Sequence, residues 1–194
     1  MKKRVVVTGL GAITPIGIGV EEYWQSLLAG KSGIGRVTRF DVSEYGTQIA
    51  GEVKGFEPGN FMDKKEARRM DRFTQYAVAA SKMALEHSGL DLEKTNRDRV
   101  GTLIGSGIGG METLHDQYKV LFEKGPNRIS PFFVPMMIAN IASGQVSIMY
   151  GLQGPCMTVV TACATGTNAI GEAYKLIQRG DADVMVCGGT EATI

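Results

Sequence analysis

The first candidate for chemistry is a cysteine in an unusual setting. In GPCMTVVTACATGTNAIGEAYKLIQ, which begins at Gly154, a Val- and Thr-rich run leads to Cys163 and a helix-compatible run follows at once. A thiol at such a strand-to-helix turn sits at the positive end of the helix dipole, where unpaired backbone N–H groups stabilise a thiolate. The same N–H groups can receive the oxyanion of a thioester under attack. Ala162, Ala164 and Gly166 are small and leave the sulfur approachable. The pattern is that of a nucleophile elbow, with cysteine in place of serine. The residues alone also allow Cys163 to be a small core filler, the usual fate of an intracellular cysteine. Cys156, inside the strand run, and Cys187, at the end of another apolar run, read as core.

Other groups offer less. The chain has three cysteines and two histidines, no CxxC pair, and no histidine near a cysteine. That pattern predicts neither a zinc site nor a disulfide framework, and no cofactor. His87, near the end of one helix candidate, and His115, inside another, read as surface or helix-dipole histidines. Gly105, Gly107 and Gly110 satisfy GxGxxG between a predicted strand and a predicted helix, the setting of a dinucleotide-binding turn. That reading fails further along, where Glu123 is followed by KGPNRISP instead of a strand ending in an acid. Lys65, Arg68 and Arg69 form a basic cluster whose plain reading is a solvated helix face paired with Asp63 and Glu66.

The elements that must position Cys163 follow from periodicity and punctuation. Arg4–Thr8 reads as a buried strand entering the turn-rich GLGAITPIG. Glu21–Ala29 reads as a helix with Trp24, Leu27 and Leu28 on one face, stopped at Gly30. Residues 31–60 are loop-like, with at most short strands. Asp63–Arg69 is a short basic helix. Asp71 is placed to cap the next helix, whose stripe is Phe73, Ala77, Ala80 and Ala84 and whose end is Gly89. Val100–Ile104 is a strand, followed by GSGIGG and a helix to about Phe122. The spacing then predicts a helix over Val134–Tyr150, a strand over Cys156–Thr161, a helix over Ala164–Gln178 and a strand over Asp183–Cys187. Alternating strands and helices of this kind argue for helices covering a parallel or mixed sheet.

Composition sets the outer bounds. The 194 residues suit one domain or one half of a larger one, and 26 glycines point to tight turns and close backbone approaches. A net charge of +1 gives no field directed at nucleic acid or a membrane. The start, MKKRVVVTG, has too short an apolar run for a signal peptide, and the chain reads as soluble and cytoplasmic. No residue from Ile129 to Gly171 is charged. Pro131, Pro135, Gly144, Gly151 and Pro155 break that stretch, so it is not a membrane span; it reads as buried core, part of it facing another subunit or a partner segment.

Several blocks carry a family resemblance. VVTACATGTNAIG resembles the active-site block of β-ketoacyl-acyl-carrier-protein synthases, the condensing enzymes. RVVVTGLGAITPIG, DKKEARRMDRFTQYA, GSGIGG, SPFFVP, IMYGLQGP and GDADVMVCGGTEA match in the family's order and spacing, over essentially all of residues 1–194. The blocks are most similar to bacterial type II elongating synthases of fatty acid biosynthesis. The resemblance implies a thiolase-like αβαβα sandwich, of which this chain is the first pseudo-repeat, and a homodimer. It implies that Cys163 accepts an acyl chain from acyl-carrier protein. An enolate from malonyl-carrier protein then attacks that thioester in a decarboxylative Claisen condensation. Gly107, Ile108 and Phe133 match positions near the acyl pocket, and Lys65, Arg68 and Arg69 match a basic surface where the carrier protein docks. The family's two histidines, lysine and second oxyanion N–H belong to a C-terminal half that these residues do not contain, which leaves a catalytically incomplete scaffold as the competing reading.

Overall fold

A computed structural model describes residues 3–194, so the basic start lies partly outside the described residues. Two small antiparallel pairs flank the first helix. They are β1 (Ile13–Thr14) with β2 (Gly17–Ile18), then α1 (Val20–Leu28), then β3 (Ile34–Arg36) with β4 (Ile49–Gly51). Next come α2 (Lys64–Ala67) and α3 (Arg72–Ser88). The Asp63 and Asp71 carboxylates cap them by accepting from the Lys65 and Phe73 N–H groups, and Gly89, at φ 66°, closes α3 in the left-handed region. The remaining elements are β5 (Val100–Gly105), α4 (Met111–Lys124), α5 (Phe133–Met137), α6 (Ile141–Tyr150), β6 (Cys156–Met157), α7 (Thr165–Arg179) and β7 (Val184–Gly189).

The main sheet has the order β6-β5-β7, with both pairings parallel. β5 is buried along its whole length, and its alternation divides the core. Val100 and Ile104 pack with Phe73, Val78, Ala142 and Val146 of α3 and α6 on one face. Leu103 packs with Ala169, Ala173 and Leu176 of α7 on the other. A parallel sheet covered on both faces is what a fully buried strand such as β5 requires, and each fully buried apolar side chain of this size contributes about 1.5–3 kcal/mol. Some contacts to the sheet are polar: the Thr102 hydroxyl donates to the Ser143 carbonyl (3.2 Å). Ser143 of α6 accepts from the Ile104 N–H (2.8 Å), and its O–H faces the carbonyls of Ile104 and Met157 at 3.1 and 2.7 Å.

Four expectations need correction. Arg4–Thr8 is not a buried strand. Among the described residues it pairs with no other strand, and Val6 and Val7 are 59% and 75% exposed. β-Branched composition supplies side-chain shape, but a strand also needs a ladder partner. The predicted helix Val134–Tyr150 is two helices, because the Met137 carbonyl is taken by the Gly110 N–H (2.9 Å) and the helical ladder stops there. The predicted strand Cys156–Thr161 ends at Met157. Beyond it the Thr158 hydroxyl takes the Ile104 carbonyl, so a side chain replaces the ladder. Finally, Cys156 is not core: it lies exposed on the edge strand. The charge-free stretch, expected to be part core and part interface, has both buried and exposed positions. Ala142, Val146, Leu152 and Ala169 are inside, whereas Ile148 (74%) and Ile170 (53%) are exposed.

Candidate active site

The turn that carries Cys163 is built by three short-range constraints. After Met157 the chain runs to a single 3-10 turn, Ala162–Ala164, which leads directly into α7. The connection between strand and cysteine is therefore longer than the sequence implies. Ala162 has φ 49°, the one positive value among described residues other than glycine. A Cβ in this region costs about 1–2 kcal/mol, so the surroundings must impose it. The Thr165 Oγ1 accepts from the Thr161 N–H (2.8 Å), and the Ala164 N–H donates to the Thr161 carbonyl (3.1 Å).

The third constraint comes from the sheet. A Cβ on Gly105 would lie 2.3 Å from Thr165 Cγ2 and 2.7 Å from the Val159 carbonyl oxygen. Thr165 cannot rotate away without losing the Thr161 bond, so this end of β5 requires glycine. Gly189, at the matching end of β7, lies against Gly166 so closely that a Cβ there would come within 2.8 Å of its Cα. The first turn of α7 thus sits directly on the carboxyl ends of two strands.

The result is an exposed, unpaired thiol at the start of a fifteen-residue helix. Among the described residues none accepts a hydrogen bond from the Cys163 N–H, so that donor is available to a ligand. The competing reading of Cys163 as core filler does not fit this exposure. Cys187 does fit it: half-buried, it packs with Leu103 and α7, and burial pushes its thiol above the usual cysteine range.

The structure brings some of the other predicted residues to this turn. Gly107 lies beside it, since a Cβ there would be 4.0 Å from the Ala162 Cα. Ile108 follows, 55% exposed. Phe133 begins α5, whose carboxyl end rests on Gly109 and Gly110. Lys65, Arg68 and Arg69 form an exposed face on α2 and just after it. Arg69 lies 5.1 Å above the Phe132 ring and 4.0 Å from Glu66, which couples the basic face to α5. Asp63 is used up as the cap of α2. His87 and His115 stay outside. The His87 Nδ1 accepts from the Leu10 N–H (3.1 Å), and His115 is exposed on α4. Two open clefts, of about 410 Å³ at Thr14–Ile18 and about 270 Å³ beside Asp71, do not border Cys163.

Two carboxylates had no assigned place at the glycine-rich loop. Glu191 accepts from the Ser106 hydroxyl (3.0 Å) and from the Gly107 and Ile108 N–H groups (2.7 and 3.3 Å). Asp71, read from sequence only as the α3 cap, also accepts from the Thr113 N–H (2.9 Å) and hydroxyl (2.6 Å) in the first turn of α4. Their negative charge occupies the N–H groups that a dinucleotide's phosphates would need, which argues physically against that reading. Residue separations of 83 to 85 for Glu191 and 42 for Asp71 left no local signal of either contact.

Fold and site together define a layered α/β protein of the thiolase-like kind, with an open cysteine at the carboxyl end of its sheet. The family described as beta-ketoacyl synthase, N-terminal domain, matches residues 2–194, and the chain belongs to that family. It is 55% identical over 193 residues to a 3-oxoacyl-[acyl-carrier-protein] synthase 2 of Synechocystis sp., covering 100% of this chain and 46% of that protein. A protein of the same name from Staphylococcus aureus (strain COL) is 56% identical over 192 residues, covering 99% and 46%. Among solved structures, the ishigamide ketosynthase/chain length factor superposes with a TM-score of 0.88 at 33% identity, over 97% of this chain and 47% of that one. AntDE:AntF, a type II PKS acyl-carrier protein in complex with its ketosynthase bound to the hexaketide, gives 0.85 at 31% identity, over 99% and 52%. The chain spans about half the length of the relatives it matches.

Proposed function

We propose that these residues form the N-terminal domain of a fatty-acid-elongating β-ketoacyl-acyl-carrier-protein synthase, and that Cys163 carries the acyl chain. The observation that carries this reading is the exposed thiol with a free N–H at the head of α7, held in a strained turn. The Cys163 thiolate adds to the carbonyl of an acyl thioester. The oxyanion that forms is held at the Cys163 N–H. Collapse expels the carrier's phosphopantetheine thiolate, leaving the acyl group on sulfur. Malonyl-carrier protein then loses carbon dioxide, and the enolate attacks that thioester to form a carbon–carbon bond and release the cysteine. The decarboxylating groups belong, on this reading, to a C-terminal half beyond these residues. The acyl chain runs past Gly107, Ile108 and Phe133.

The acidic carrier docks on Lys65, Arg68 and Arg69. Exposed apolar residues of the charge-free stretch, such as Ile148 and Ile170, suit a homodimer or the missing half. Three unpaired thiols suit a reducing cytoplasm; among the described residues no helix is long and apolar enough to cross a membrane. The full-length protein, given acyl- and malonyl-carrier proteins, should release carbon dioxide and a product two carbons longer. Charge reversal at Lys65 and Arg68 should raise the KM for carrier about tenfold or more while leaving kcat near the parent value. A full-length protein that never condenses, and whose Cys163 is inert to alkylation, would be a scaffold instead.

A further inference from the structure

Glu191 follows β7 and makes contacts that the acylation chemistry does not use. Its Oε2 accepts from the Gly107 N–H (2.7 Å), and its Oε1 accepts from the Ser106 hydroxyl (3.0 Å) and the Ile108 N–H (3.3 Å). Ser106, 1% exposed, extends the arrangement by accepting from the Gly109 N–H (3.0 Å). One residue earlier, Thr190 donates its N–H to the Gly105 carbonyl (2.9 Å) and its hydroxyl to the Phe73 carbonyl (2.6 Å). The segment after β7 is therefore stitched to the GSGIGG loop from Gly105 to Ile108 and anchored to α3. A glycine-rich loop has little side-chain packing with which to hold its own shape. Here the backbone amides of Gly107 and Ile108 are held by one carboxylate, and Gly107 is held against Ala162, the neighbour of Cys163.

We infer that Glu191 is a positioning residue: its carboxylate fixes the Ser106–Ile108 backbone, and thereby the direction of the Ile108 side chain, so that this loop presents a set wall to the acyl chain on Cys163 and determines which chain lengths are accepted. The inference rests on the reading of Gly107 and Ile108 as acyl-pocket residues. Glutamine at this position keeps the volume but cannot accept all three donors, because one oxygen becomes an NH₂ group. Alanine accepts none.

The test uses the full-length protein with Glu191→Gln and Glu191→Ala, and three readouts. Hydrogen exchange of the 104–110 peptide in Glu191→Ala should rise about tenfold, with Glu191→Gln between it and the parent. The ratio of transfer rates from carrier protein bearing a long and a short saturated chain should change about threefold or more. Alkylation of Cys163 by iodoacetamide should stay at the parent rate, since the thiol's own turn does not use Glu191. An unchanged chain-length ratio would overturn the inference. So would a parallel fall in alkylation and in transfer of both chains, which would show a structural role only. A Cys163→Ala control that still acquires an acyl adduct would overturn the proposed acylation site instead, a result read separately from the Glu191 comparison.

Discussion

Two strand-to-helix turns lie side by side at the carboxyl end of the sheet, and they are finished differently. Between β5 and α4, Glu191 and Asp71 place carboxylates on the N–H groups of Gly107, Ile108 and Thr113. At the head of α7, only a neutral hydroxyl reaches back, from Thr165 to the Thr161 N–H; Cys163 is exposed, and among the described residues its N–H has no backbone acceptor. Both turns offer the same raw material, unpaired amides at the positive end of a helix. In the first the protein supplies the anion itself, which ties the loop to the segment after β7. In the second, on the proposed reading, the position is left for the oxyanion of the acyl transfer. The neighbouring pair teaches that two similar helix N-termini differ by whether the protein fills them with its own carboxylates.

The comparison breaks most sharply at Gly105, which holds the two turns against each other. Gly105→Ala forces a Cβ into Thr165 and the Val159 carbonyl, and should cost about 3 kcal/mol in urea denaturation while slowing Cys163 alkylation. A cost near zero would mean that the turn is not set by the sheet. Next is the filled turn. Asp71→Ala removes the α3 cap and both bonds to Thr113, and should cost about 2 kcal/mol without changing the alkylation rate of Cys163. Loss of both together would mean that the turns are not independent.

The open turn can be sharpened by relieving its strain. Ala162→Gly should stabilise the protein by about 1 kcal/mol, because glycine tolerates φ 49°. The smallest effect separates the thiols. Cys187, whose thiol burial pushes upward, should label after the exposed Cys163 and Cys156, and should catch up only as pH rises. The sign for stability follows from that direction: a raised value favours the neutral thiol in the folded state. This contribution is fully present below about 9.0, the thiol's ordinary value, and is lost as pH rises above it. Melting temperature against pH in a Cys187→Ala variant should lack that alkaline loss.

Much of this was readable in the residues, and the limits were physical. Asp63, Asp71 and Gly89 announce their helix ends because capping is local chemistry. Val100–Ile104, apolar apart from Thr102, proved to be the fully buried central strand. The stripe Ala169, Ala173 and Leu176 faces the sheet as its spacing implies. Cys163 stands out because strand-forming and helix-forming runs meet at it. What escaped depended on partners distant in sequence. Ser143 and Thr158 take over the hydrogen bonds of Ile104 and so shorten β6, and the Met137 carbonyl meets Gly110, which divides a helix that its own residues would continue. Arg4–Thr8 has strand composition but no neighbouring strand among the described residues. Glu191 lay in a recognised block, yet its role appears only when β7 is placed beside β5.

The most direct test of the account is the intact mass of the protein after incubation with acyl-carrier protein bearing a saturated acyl chain, alongside Cys163→Ala. The account predicts one acyl adduct on the parent, located to the Cys163 peptide, and none on the variant. An adduct on Cys156 or Cys187, an adduct that survives Cys163→Ala, or an unmodified full-length protein whose Cys163 remains a free thiol would contradict it.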